Sequence, residues 1–551
     1  MSFKSLKYCF HSIISLCIGY FLLGANLSYG QMGQNLFMVN PKAISLGNAV
    51  TADPPGIDSI HFNPAGLARL KGRQYLLKGA IGIADIKGKF TVSDEYEEVL
   101  DQLSDEARAG IVDPAANSES SIDSFAVYLP GVGITPIPFT GGGPLGGASI
   151  QPAGSKMTFA TAVYPSFLLG VVRDDDDPGR FAGKKLAITR LTFFSPSVGY
   201  QLTDTIALGA SVGFSYMGFG LELDYRANNG FMGGVYELVE DACNSGGGIN
   251  NLVNLCEGSI SPFDELFNLQ VDVDKMVSIT FNFGVLWEIT PWLTWGLAYQ
   301  SEAKDRMEGT IALDFSPNLV AFYGGVADGA QEGFTGLDSF TKYIIDGLLG
   351  LPANGLVESD AALELTLPQH LSTGISLMLT PRLKVNVDVK WTETSKWEAF
   401  SFEILDTIQA LDFIGQFGIE GISGNNITFP RGYEDTINWG IGAEYALTDE
   451  LKLRAGYEPR KAGIPDDKLD FLVPLGDMDL FSVGASYALD SYSNVDVAFA
   501  YAKSHQKIPV GSSDNGNKIT NDDFVYQPYA GLHTESIIEI ILLEISYESS
   551  F

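Results

Sequence analysis

The chain has 551 residues, of which 45% are hydrophobic and only 18% are charged. Its formal net charge of −33 at pH 7 argues against nucleic acid or anionic lipid as a partner, because both carry negative charge themselves. A water-soluble chain of this length would form roughly three or four domains, whereas a membrane β-barrel would be one domain with long loops. No apolar run after residue 30 is long enough for a membrane-spanning helix, which excludes helical spans.

Residues 1–30 show the pattern of a secretory signal peptide. The first residues include two lysines, and an apolar core follows over residues 8–23. Small residues come next, before a predicted cleavage site near Gln31. The alternative is an N-terminal membrane anchor, but the apolar run is short and contains His11. We therefore predict an exported protein.

Residues 40–67 combine turn-forming and apolar residues in a way typical of neither a helix nor a strand. Prolines, glycines and asparagines interrupt the segment before a helix of useful length can form. A segment without hydrogen-bonded structure of its own must pack its apolar side chains inside something else. We therefore predict that residues 31–72 form a plug, or hatch, within the lumen of a β-barrel made by residues 73–551. Seven apolar side chains of the hatch are of the kind that proteins bury: Ile44, Leu46, Val50, Ile57, Ile60, Phe62 and Leu67.

The short motifs of the hatch resemble those of a known family. Residues 43–49 read Ala-x-x-Leu-Gly-Asn-Ala, residues 52–53 read Ala-Asp, and residues 63–66 read Asn-Pro-Ala-Gly. This ordered set is similar to the N-terminal hatch of the FadL/TodX family, whose members are outer-membrane transporters of long-chain fatty acids and aromatic hydrocarbons. The resemblance implies a bacterial outer-membrane protein whose gate includes Asn63, Pro64, Ala65 and Gly66.

Asn63 is the hatch residue for which we expect side-chain hydrogen bonds that brace the plug. The alternative for this position is a simple Asn-Pro turn, in which the asparagine bonds only to its own backbone.

From about residue 73 the sequence alternates with a period of two, which predicts β-strands. In 278–287 and 451–457 apolar residues alternate with small, polar or charged ones, and the apolar faces end in Trp287 and Tyr457. We expect the apolar faces to contact lipid, with the aromatic residues at the membrane interface. The small, polar or charged residues between them are expected to face a water-filled lumen. We predict an all-β, transmembrane, antiparallel β-barrel of about 14 strands. Their centres are expected near residues 80, 127, 163, 193, 214, 280, 301, 371, 389, 440, 455, 483, 498 and 542.

The connections between these strands alternate between short turns and long segments. This asymmetry predicts periplasmic turns and extracellular loops. Residues 136–155, rich in proline and glycine, fall where a short turn belongs, and the pattern offers no account of them.

The chain ends in an alternating apolar run that closes with Phe551. A terminal aromatic strand of this kind resembles the sequence by which outer-membrane barrels are recognised for assembly. We therefore expect the barrel assembly machinery as a partner through Phe551, a surround of outer-membrane lipid and lipopolysaccharide, and a monomer.

The third predicted strand contains a proline where a β-ladder needs an N–H group. Pro165 follows Tyr164 in the run 161–167, and a closed barrel has no free edge on which to place a proline. In the family the third strand is kinked and opens a lateral portal, so we predict that Tyr164 and Pro165 mark the opening through which substrate leaves sideways. The alternative is a bulge near the rim without a role in passage.

Two groups of apolar residues are candidates for substrate contact. Leu36, Phe37 and Met38 lie near the mature N-terminus, which in the family lies against the ligand. Leu337, Phe340 and Ile344 lie on one helical face in a long loop. The second group predicts an apolar vestibule between loops, and the alternative is a loop helix packed on the rim.

The substrate itself stays open between two classes. In the family, the fatty-acid transporters place basic residues in the lumen for the carboxylate, but the corresponding stretches 217–220 and 433–435 hold neither lysine nor arginine. Long-chain fatty acid is our first prediction and a neutral aromatic hydrocarbon the alternative. The lumen-facing cations Lys390, Lys452 and Arg454 are expected to pair with the carboxylates Asp388, Glu444 and Glu544.

No catalytic constellation stands out in the sequence. His533 and Ser536 differ in parity, so they face opposite sides if they share a strand, and no metal-ligand spacing occurs. We predict a protein that is not an enzyme, with no catalytic residue, metal or cofactor. An outer-membrane lipid hydrolase and a surface adhesin are the alternatives from other classes.

Cys243 and Cys256 lie close together in one long polar segment. In an exported protein this spacing favours a loop disulfide over a redox site, and two free thiols are the alternative.

Overall fold

The fold is that of a computed structural model of the full chain. The predicted signal peptide lies outside the residues that the structure describes. The described residues are 35–94, 96, 111–122, 124–137, 145–226, 228, 236, 237, 239, 241, 243, 256, 261, 263–322, 324, 354–409, 411–412, 421–473, 476–518 and 526–551.

Strands dominate the described part of the chain. All of them join one antiparallel sheet. In chain order they are β1 Arg73–Val92, β2 Ser118–Ser121, β3 Ser124–Leu129, β4 Gly133–Ile137, β5 Leu145–Ile150, β6 Met157–Val172, β7 Lys185–Phe194, β8 Ser197–Gln201, β9 Ile206–Arg226, β10 Glu265–Thr290, β11 Leu293–Gln300, β12 Ala303–Phe315, β13 Leu356–Leu367, β14 His370–Thr380, β15 Leu383–Thr392, β16 Ala399–Ile404, β17 Ile422–Ser423, β18 Asn426–Pro430, β19 Thr436–Ala446, β20 Leu451–Arg460, β21 Met478–Ala488, β22 Ser493–Ile508 and β23 Leu532–Ser550.

The sheet closes into a barrel of 14 strands because the first strand pairs with the last. The β1–β23 ladder runs from Gln74 opposite Ser550 to Val92 opposite Leu532. Several wall strands consist of two segments, such as β7 with β8 and β11 with β12, which share their neighbours. The prediction of an all-β antiparallel barrel of about 14 strands is therefore confirmed. The centre predicted near residue 301 falls inside the wall strand made of β11 and β12, at the short break between these two segments.

The predicted alternation of faces holds along the wall. In β10, Phe281 and Phe283 are about half exposed, whereas Ser278 and Asn282 are buried towards the interior. Exposed apolar side chains of this kind form the lipid-facing surface of a membrane barrel. Short turns join β10 to β11 and β14 to β15 at one end, and the long connections lie at the other.

The second wall position departs from the prediction. Residues 118–121 and 145–150 occupy it as β2 and β5, each paired with β1. A strand does lie near residue 127, as predicted, but β3 pairs with β6 only at residues 124–125. Along its length β3 instead forms a hairpin with β4 over residues 124–137, which we call the outer hairpin. The proline- and glycine-rich stretch 136–155 therefore contains a wall strand.

The outer hairpin packs on the outside of the barrel. A Cβ atom on Gly218 would lie 2.3 Å from the Tyr128 ring, and one on Gly220 would lie 2.5 Å from Ile134. The side chains of Met217 and Phe219, which alternate with these glycines, are buried in the interior. Since neighbouring residues of a strand face opposite sides, the two glycines face outwards and make room for the hairpin.

Departure of the chain into the outer hairpin interrupts the wall. The β1–β5 ladder ends at Lys78, and the β1–β2 ladder begins at Lys87. On the facing strand, the β5–β6 ladder ends at Val163 and the β3–β6 ladder begins at Val171. Among the described residues, no strand pairs across the space between 79–85 and 164–170, which we call the wall opening. A ladder of about seven residues would span roughly 20 Å.

The N-terminal residues 36–70, which we call the inner segment, lie within the ring of strands. A Cβ atom on Gly442 would meet Leu46 at 2.4–2.7 Å, and one on Gly209 would meet Pro64 at 2.0 Å. These two glycines belong to β19 and β9, so the inner segment contacts well-separated parts of the wall. Glycine is needed there because the backbone of the segment approaches the wall too closely for any side chain.

Short helices give the inner segment its shape. Helix Pro41–Ser45 begins at Asn40, whose side chain accepts the Ala43 N–H, and helix Ser59–Phe62 precedes the 3₁₀ helix Pro64–Arg69. Further short helices in the described chain include Arg180–Gly183, Thr394–Lys396 and Asp466–Lys468, and residues 317–322 are helical as well. None of the helices that the structure describes is long and apolar enough to cross a bilayer.

Candidate functional site

Asn63 ties the inner segment to the wall through its amide. Its Nδ2 donates to the carbonyl oxygen of Thr51 at 2.7 Å and to that of Val285 in β10 at 3.2 Å. Its Oδ1 accepts the N–H of Ala65 at 3.1 Å. One buried amide therefore caps a helix, crosslinks the inner segment and contacts the barrel.

The residues after Asn63 fit against glycines and small side chains. Pro64 and Ala65 lie against Gly209 of β9, and Gly66 packs against Pro54 and Ser59. A side chain at Gly66 would collide with both, so the Asn-Pro-Ala-Gly motif is a packing unit as well as a turn.

A buried ion pair connects the inner segment to β1. The Lys78 Nζ lies 2.7 Å from Asp58 Oδ2, and neither side chain is exposed to solvent. Asn40 Nδ2 donates to the same carboxylate oxygen at 2.7 Å, and Lys78 also donates to the Met38 carbonyl at 3.1 Å. β1 is the strand that borders the wall opening.

A second charged cluster joins the inner segment to the wall at the end with the short turns. Asp53 lies 3.1 Å from Lys42 and 2.5 Å from Lys384 of β15. Burial alone would raise the pKa of Asp53, but the charges of Lys42 and Lys384 outweigh it and hold this pKa well below its ordinary value.

Two of the three cations predicted to face the lumen form ion pairs, although not always as the sequence predicts, and the third, Lys452, is exposed. Arg454 pairs with Glu444 as expected, at 2.7 Å, and also with Asp496 at 2.5 Å. Lys390 pairs with Glu458 at 3.3 Å rather than with Asp388. The carboxylate of Asp388 instead accepts the backbone N–H of Thr51 at 2.7 Å, a bond to the inner segment.

A register shift marks β6 at the edge of the wall opening. The ladder with β7 passes from Pro165 to Phe167 and leaves Ser166 as an extra residue. Tyr164 and Phe167 are both buried inside although they lie three positions apart, an odd offset that would place them on opposite faces of a regular strand; the bulge explains this. Tyr164 contacts the ring of His61 in the inner segment, with ring centroids 5.4 Å apart.

Apolar side chains fill the barrel between the inner segment and the loop end. We call this region the apolar chamber. Phe167 lies with its ring centroid 5.9 Å from that of Trp397, and Phe219 lies 5.7 Å from Phe400. All four rings belong to one buried cluster, which also includes Leu36.

The first two candidate contact residues of the N-terminus reach the apolar chamber, and the third lies beside it. Leu36 belongs to the chamber cluster, and the partly buried Phe37 packs against it. The Phe37 ring also lies 6.2 Å from that of Phe125 in the outer hairpin. Met38 is buried in a separate cluster, between the inner segment and strands β1 and β6.

A cavity lies above the chamber near the loop end, and we call it the outer cavity. Phe267 and Phe429 line it and also belong to the chamber cluster, so the two spaces adjoin. Arg431 lines it as well, but this guanidinium forms an ion pair with Asp470.

A smaller polar pocket lies at the floor of the chamber, beside the bulge of β6. Arg190 of β7 lines it, together with His61 and His370. Arg190 stands opposite Met217 in the β7–β9 ladder. The stretch 217–220 lacks a basic residue, and sequence reasoning missed the cation on the neighbouring strand. The sequence feature that could have indicated this cation is a single arginine within the apolar run of β7.

Two further groups of predicted residues have different outcomes. Cys243 and Cys256 are joined by a disulfide. Leu337, Phe340 and Ile344 lie outside the described residues.

A closed barrel of 14 strands with lipid-facing apolar side chains and a filled lumen defines a bacterial outer-membrane β-barrel protein. The model of the family of outer membrane protein transport proteins (OMPP1/FadL/TodX) matches residues 28–551. The chain therefore belongs to this family.

Relatives and solved structures agree with this assignment. The "Long-chain fatty acid transport protein" of Escherichia coli O6:H1 is 22% identical over 222 residues, or 40% of this chain and 41% of that relative. The chain thus matches less than half of that relative's length. "Outer membrane protein P1" of Haemophilus influenzae is 22% identical over 476 residues, or 83% of this chain and 82% of the relative.

The solved structure of a Pseudomonas aeruginosa FadL homologue is similar with a TM-score of 0.62 and 16% identity, covering 95% of this chain and all of that one. The Pseudomonas putida toluene transporter TodX gives 0.56 and 14% identity, covering 96% of this chain and all of its own. These two likenesses show the fold.

Proposed function

We propose that this protein is a passive outer-membrane channel for hydrophobic compounds, with long-chain fatty acids as its main substrate. Substrate is captured at the outer cavity, passes into the apolar chamber when the start of the inner segment moves, and leaves sideways through the wall opening. The observation that carries the proposal is the position of the wall opening, which borders the apolar chamber at Phe167.

The energetics of a fatty acyl chain favour this route. Exposing one CH₂ group to water costs about 0.8 kcal/mol, so a sixteen-carbon chain would lose roughly 10 kcal/mol in a water-filled pore. A chamber lined by Trp397, Phe219 and Phe400 keeps the chain in apolar surroundings. A sideways exit then delivers it to the hydrocarbon core of the membrane without passage through water.

The inner segment supports a lateral rather than a straight route. Below the chamber, the Lys78–Asp58 pair and the Asp53 cluster fix this segment to the wall. Its first residues are held differently, because Leu36 and Phe37 make apolar contacts with the chamber. We infer that these residues leave the chamber when substrate enters, while the tethered part of the segment keeps the periplasmic end closed.

The names of the relatives also support a transport function. The E. coli relative is described as a long-chain fatty acid transport protein, and the family is one of transporters, which supports transport over hydrolysis or adhesion. A neutral aromatic hydrocarbon is the second candidate substrate. The outer cavity favours it, because its lining includes six aromatic side chains and its Arg431 is already neutralised by Asp470.

The test is uptake by cells that lack their own transporter of hydrophobic compounds and express the full chain. We expect faster uptake of labelled oleate than in cells with an empty vector. Phe400→Gln, which places an amide in the chamber, should slow uptake. Phe499→Gln is the matched control, because Phe499 is exposed on the lipid-facing side of β22. Cells that take up neither oleate nor toluene faster than the empty-vector cells would overturn the proposal.

A further inference from the structure

The backbone of Val39 in the inner segment is strained. Its φ is +54° and its side chain is buried. This left-handed region brings the Cβ atom close to the following carbonyl oxygen, and it is least favourable for a β-branched residue. The other non-glycine residues of the described chain with a positive φ are asparagines, which tolerate the region. A strained residue of this kind persists only where surrounding contacts hold it.

Residues 35–38, which precede Val39 and which we call the gate arm, supply such contacts. Lys78 donates to the carbonyl oxygen of Met38 at 3.1 Å, and Asn35 Oδ1 lies 2.7 Å from His61 Nε2. Rotation about the N–Cα bond of Val39 would move the gate arm as one piece away from both. Val39 is therefore the hinge of the arm, and it is strained in the observed position.

The gate arm also contacts the outer hairpin. The Phe37 ring lies 6.2 Å from the Phe125 ring at an interplanar angle of 71°, an edge-to-face arrangement that aromatic rings favour. Phe125 stands opposite Val171, in the pair of the β3–β6 ladder that is nearest to the wall opening. Opposite residues of an antiparallel pair share a face, and Val171 is buried in the apolar chamber. The contact between the two rings therefore lies where the chamber meets the edge of the wall opening.

The rest of the outer hairpin is fixed to the outer surface of the wall. The N–H of Tyr128 donates to Thr189 Oγ1 at 2.8 Å, and its ring covers Gly218. Leu129 and Val132, at the turn of the hairpin, are exposed. A single hairpin thus has an aromatic side chain at the chamber and an apolar turn outside the barrel. The position of the hairpin on the wall decides whether the gate arm keeps its aromatic contact.

We propose that the outer hairpin controls the lateral exit, with Phe125 as the latch that holds the gate arm and Val39 as its strained hinge. This inference rests on the proposed function and adds the element that sets how readily the gate opens. While Phe37 lies against Phe125, the arm stands between the chamber and the edge of the wall opening. When a substrate tail displaces Phe37, the φ of Val39 relaxes to a negative value. The relief of strain offsets part of the lost contacts, so the two positions of the arm are close in free energy.

The latch and the hinge should act in opposite directions, which a merely structural role would not produce. Phe125→Ala removes the latch and should raise the open fraction of the gate arm about two- to tenfold, the range of an aromatic pair. We expect faster hydrogen exchange over residues 36–39 in the purified full chain in lipid nanodiscs, and faster oleate uptake by cells. Leu129→Ala is the matched control, because it shortens an exposed apolar side chain of the same hairpin.

Val39→Gly should instead keep the gate arm closed, because glycine adopts a positive φ without strain. Val39→Ala is its matched control, since it also loses the methyl groups of valine but keeps the Cβ atom that causes the strain. The open fraction in Val39→Gly should be about two- to fivefold below that in Val39→Ala, allowing for the greater freedom of glycine in the open position. Exchange over residues 36–38 and oleate uptake should both be slower.

The outcomes separate this inference from the proposed function. Exchange in Phe125→Ala that matches Leu129→Ala would overturn the latch, and equal exchange in Val39→Gly and Val39→Ala would overturn the hinge. These exchange measurements do not depend on transport. Cells with the wild-type protein that take up neither oleate nor toluene faster than empty-vector cells would overturn the proposed function and leave the exchange results in place.

A further measurement needs no variant. Saturating oleate should quicken hydrogen exchange in the wild-type protein on both sides of the aromatic contact, over residues 36–39 and over residues 124–126. Unchanged exchange over residues 124–126 would show that the hairpin takes no part in opening. That result would overturn the proposal even if Phe125→Ala failed to fold.

Discussion

Lys78 of β1 and Asp58 of the inner segment form an ion pair of 2.7 Å in which both side chains are completely buried. Asn40 completes the pair by donating to the same carboxylate. The pair joins the inner segment to β1, one of the two strands that border the wall opening, so the inner segment and this edge of the opening share one anchor.

Loss of one partner of this pair should loosen the inner segment without opening the barrel. Lys78→Met leaves Asp58 buried and uncompensated, which costs about 3–5 kcal/mol in comparable sites. We expect faster hydrogen exchange over residues 41–62, while the heat-modifiable mobility of the folded barrel on gels is kept. The double variant Lys78→Met/Asp58→Leu should regain much of the protection, because no charge is then left unpaired. Exchange in Lys78→Met that matches the wild type would contradict this anchoring role.

Asn63 should matter for passage more than for assembly. Asn63→Ala removes the hydrogen bonds to Thr51 and Val285 and leaves the buried Thr51 carbonyl without this donor, at a cost of about 1–3 kcal/mol. We expect altered oleate uptake with a barrel that still assembles. The mobility shift on heating checks assembly, and loss of that shift would show that Asn63 is a folding residue. Asn494→Ala in β22, whose side chain bonds to Asp496, serves as a matched control away from the inner segment.

Much of the wall could be predicted from the sequence because every second residue of a wall strand faces lipid and is therefore apolar. The alternation at Phe281 and Phe283 depends only on neighbouring residues, and both side chains are exposed in the structure as it predicts. The bulge at Pro165 is of the same kind, since a proline lacks the N–H of a ladder whatever its neighbours are.

The outer hairpin could not be predicted in the same way. Phe125, Val127 and Leu129 alternate with other residues much as a wall strand does. Only the packing partners distinguish the two cases, and these are Gly218 and Gly220, far away in sequence.

Arg190 escaped prediction for a related reason. Its importance depends on register, since it lies opposite Met217 and beside Ser278 only once β7, β9 and β10 are aligned. The sequence places an arginine in an apolar run but does not say whether a carboxylate meets it. Charge balance across three strands is a property of the folded barrel.

The glycines under the outer hairpin allow a direct test of how the hairpin packs on the wall. Gly218→Leu puts a side chain where the Tyr128 ring lies, so we expect the hairpin to move away from the wall. Faster hydrogen exchange over residues 124–137 would report this movement. Gly79→Leu is the matched control, because an added Cβ at Gly79 in β1 meets nothing within 4 Å. Unchanged exchange in Gly218→Leu would mean that the hairpin does not depend on this contact.

The Asp53 cluster should make docking of the inner segment sensitive to acid. The pKa of Asp53 is lower in the folded protein than in the unfolded chain, so its stabilising effect is complete above the unfolded value of about 4. The effect declines as the pH falls below that value towards the lower folded pKa. Hydrogen exchange over residues 41–53, corrected for its intrinsic pH dependence, should therefore quicken between pH 5 and pH 3. Asp53→Asn should show faster exchange at pH 7 and little further change in acid. The same pH dependence in both proteins would exclude Asp53 as its source.

Pro165 should control how easily substrate leaves through the wall. Valine at this position restores a backbone N–H next to the bulge, which favours a straighter β6 and narrows the wall opening beside Phe167. We therefore expect Pro165→Val to slow oleate uptake by whole cells while oleate binding to the purified protein stays unchanged, because the chamber is untouched. Pro459→Val is the matched control, since Pro459 lies in β20, a wall strand that does not border the opening. Uptake by Pro165→Val at the wild-type rate would count against lateral exit, and equal slowing in both variants would point to a general effect of proline on assembly.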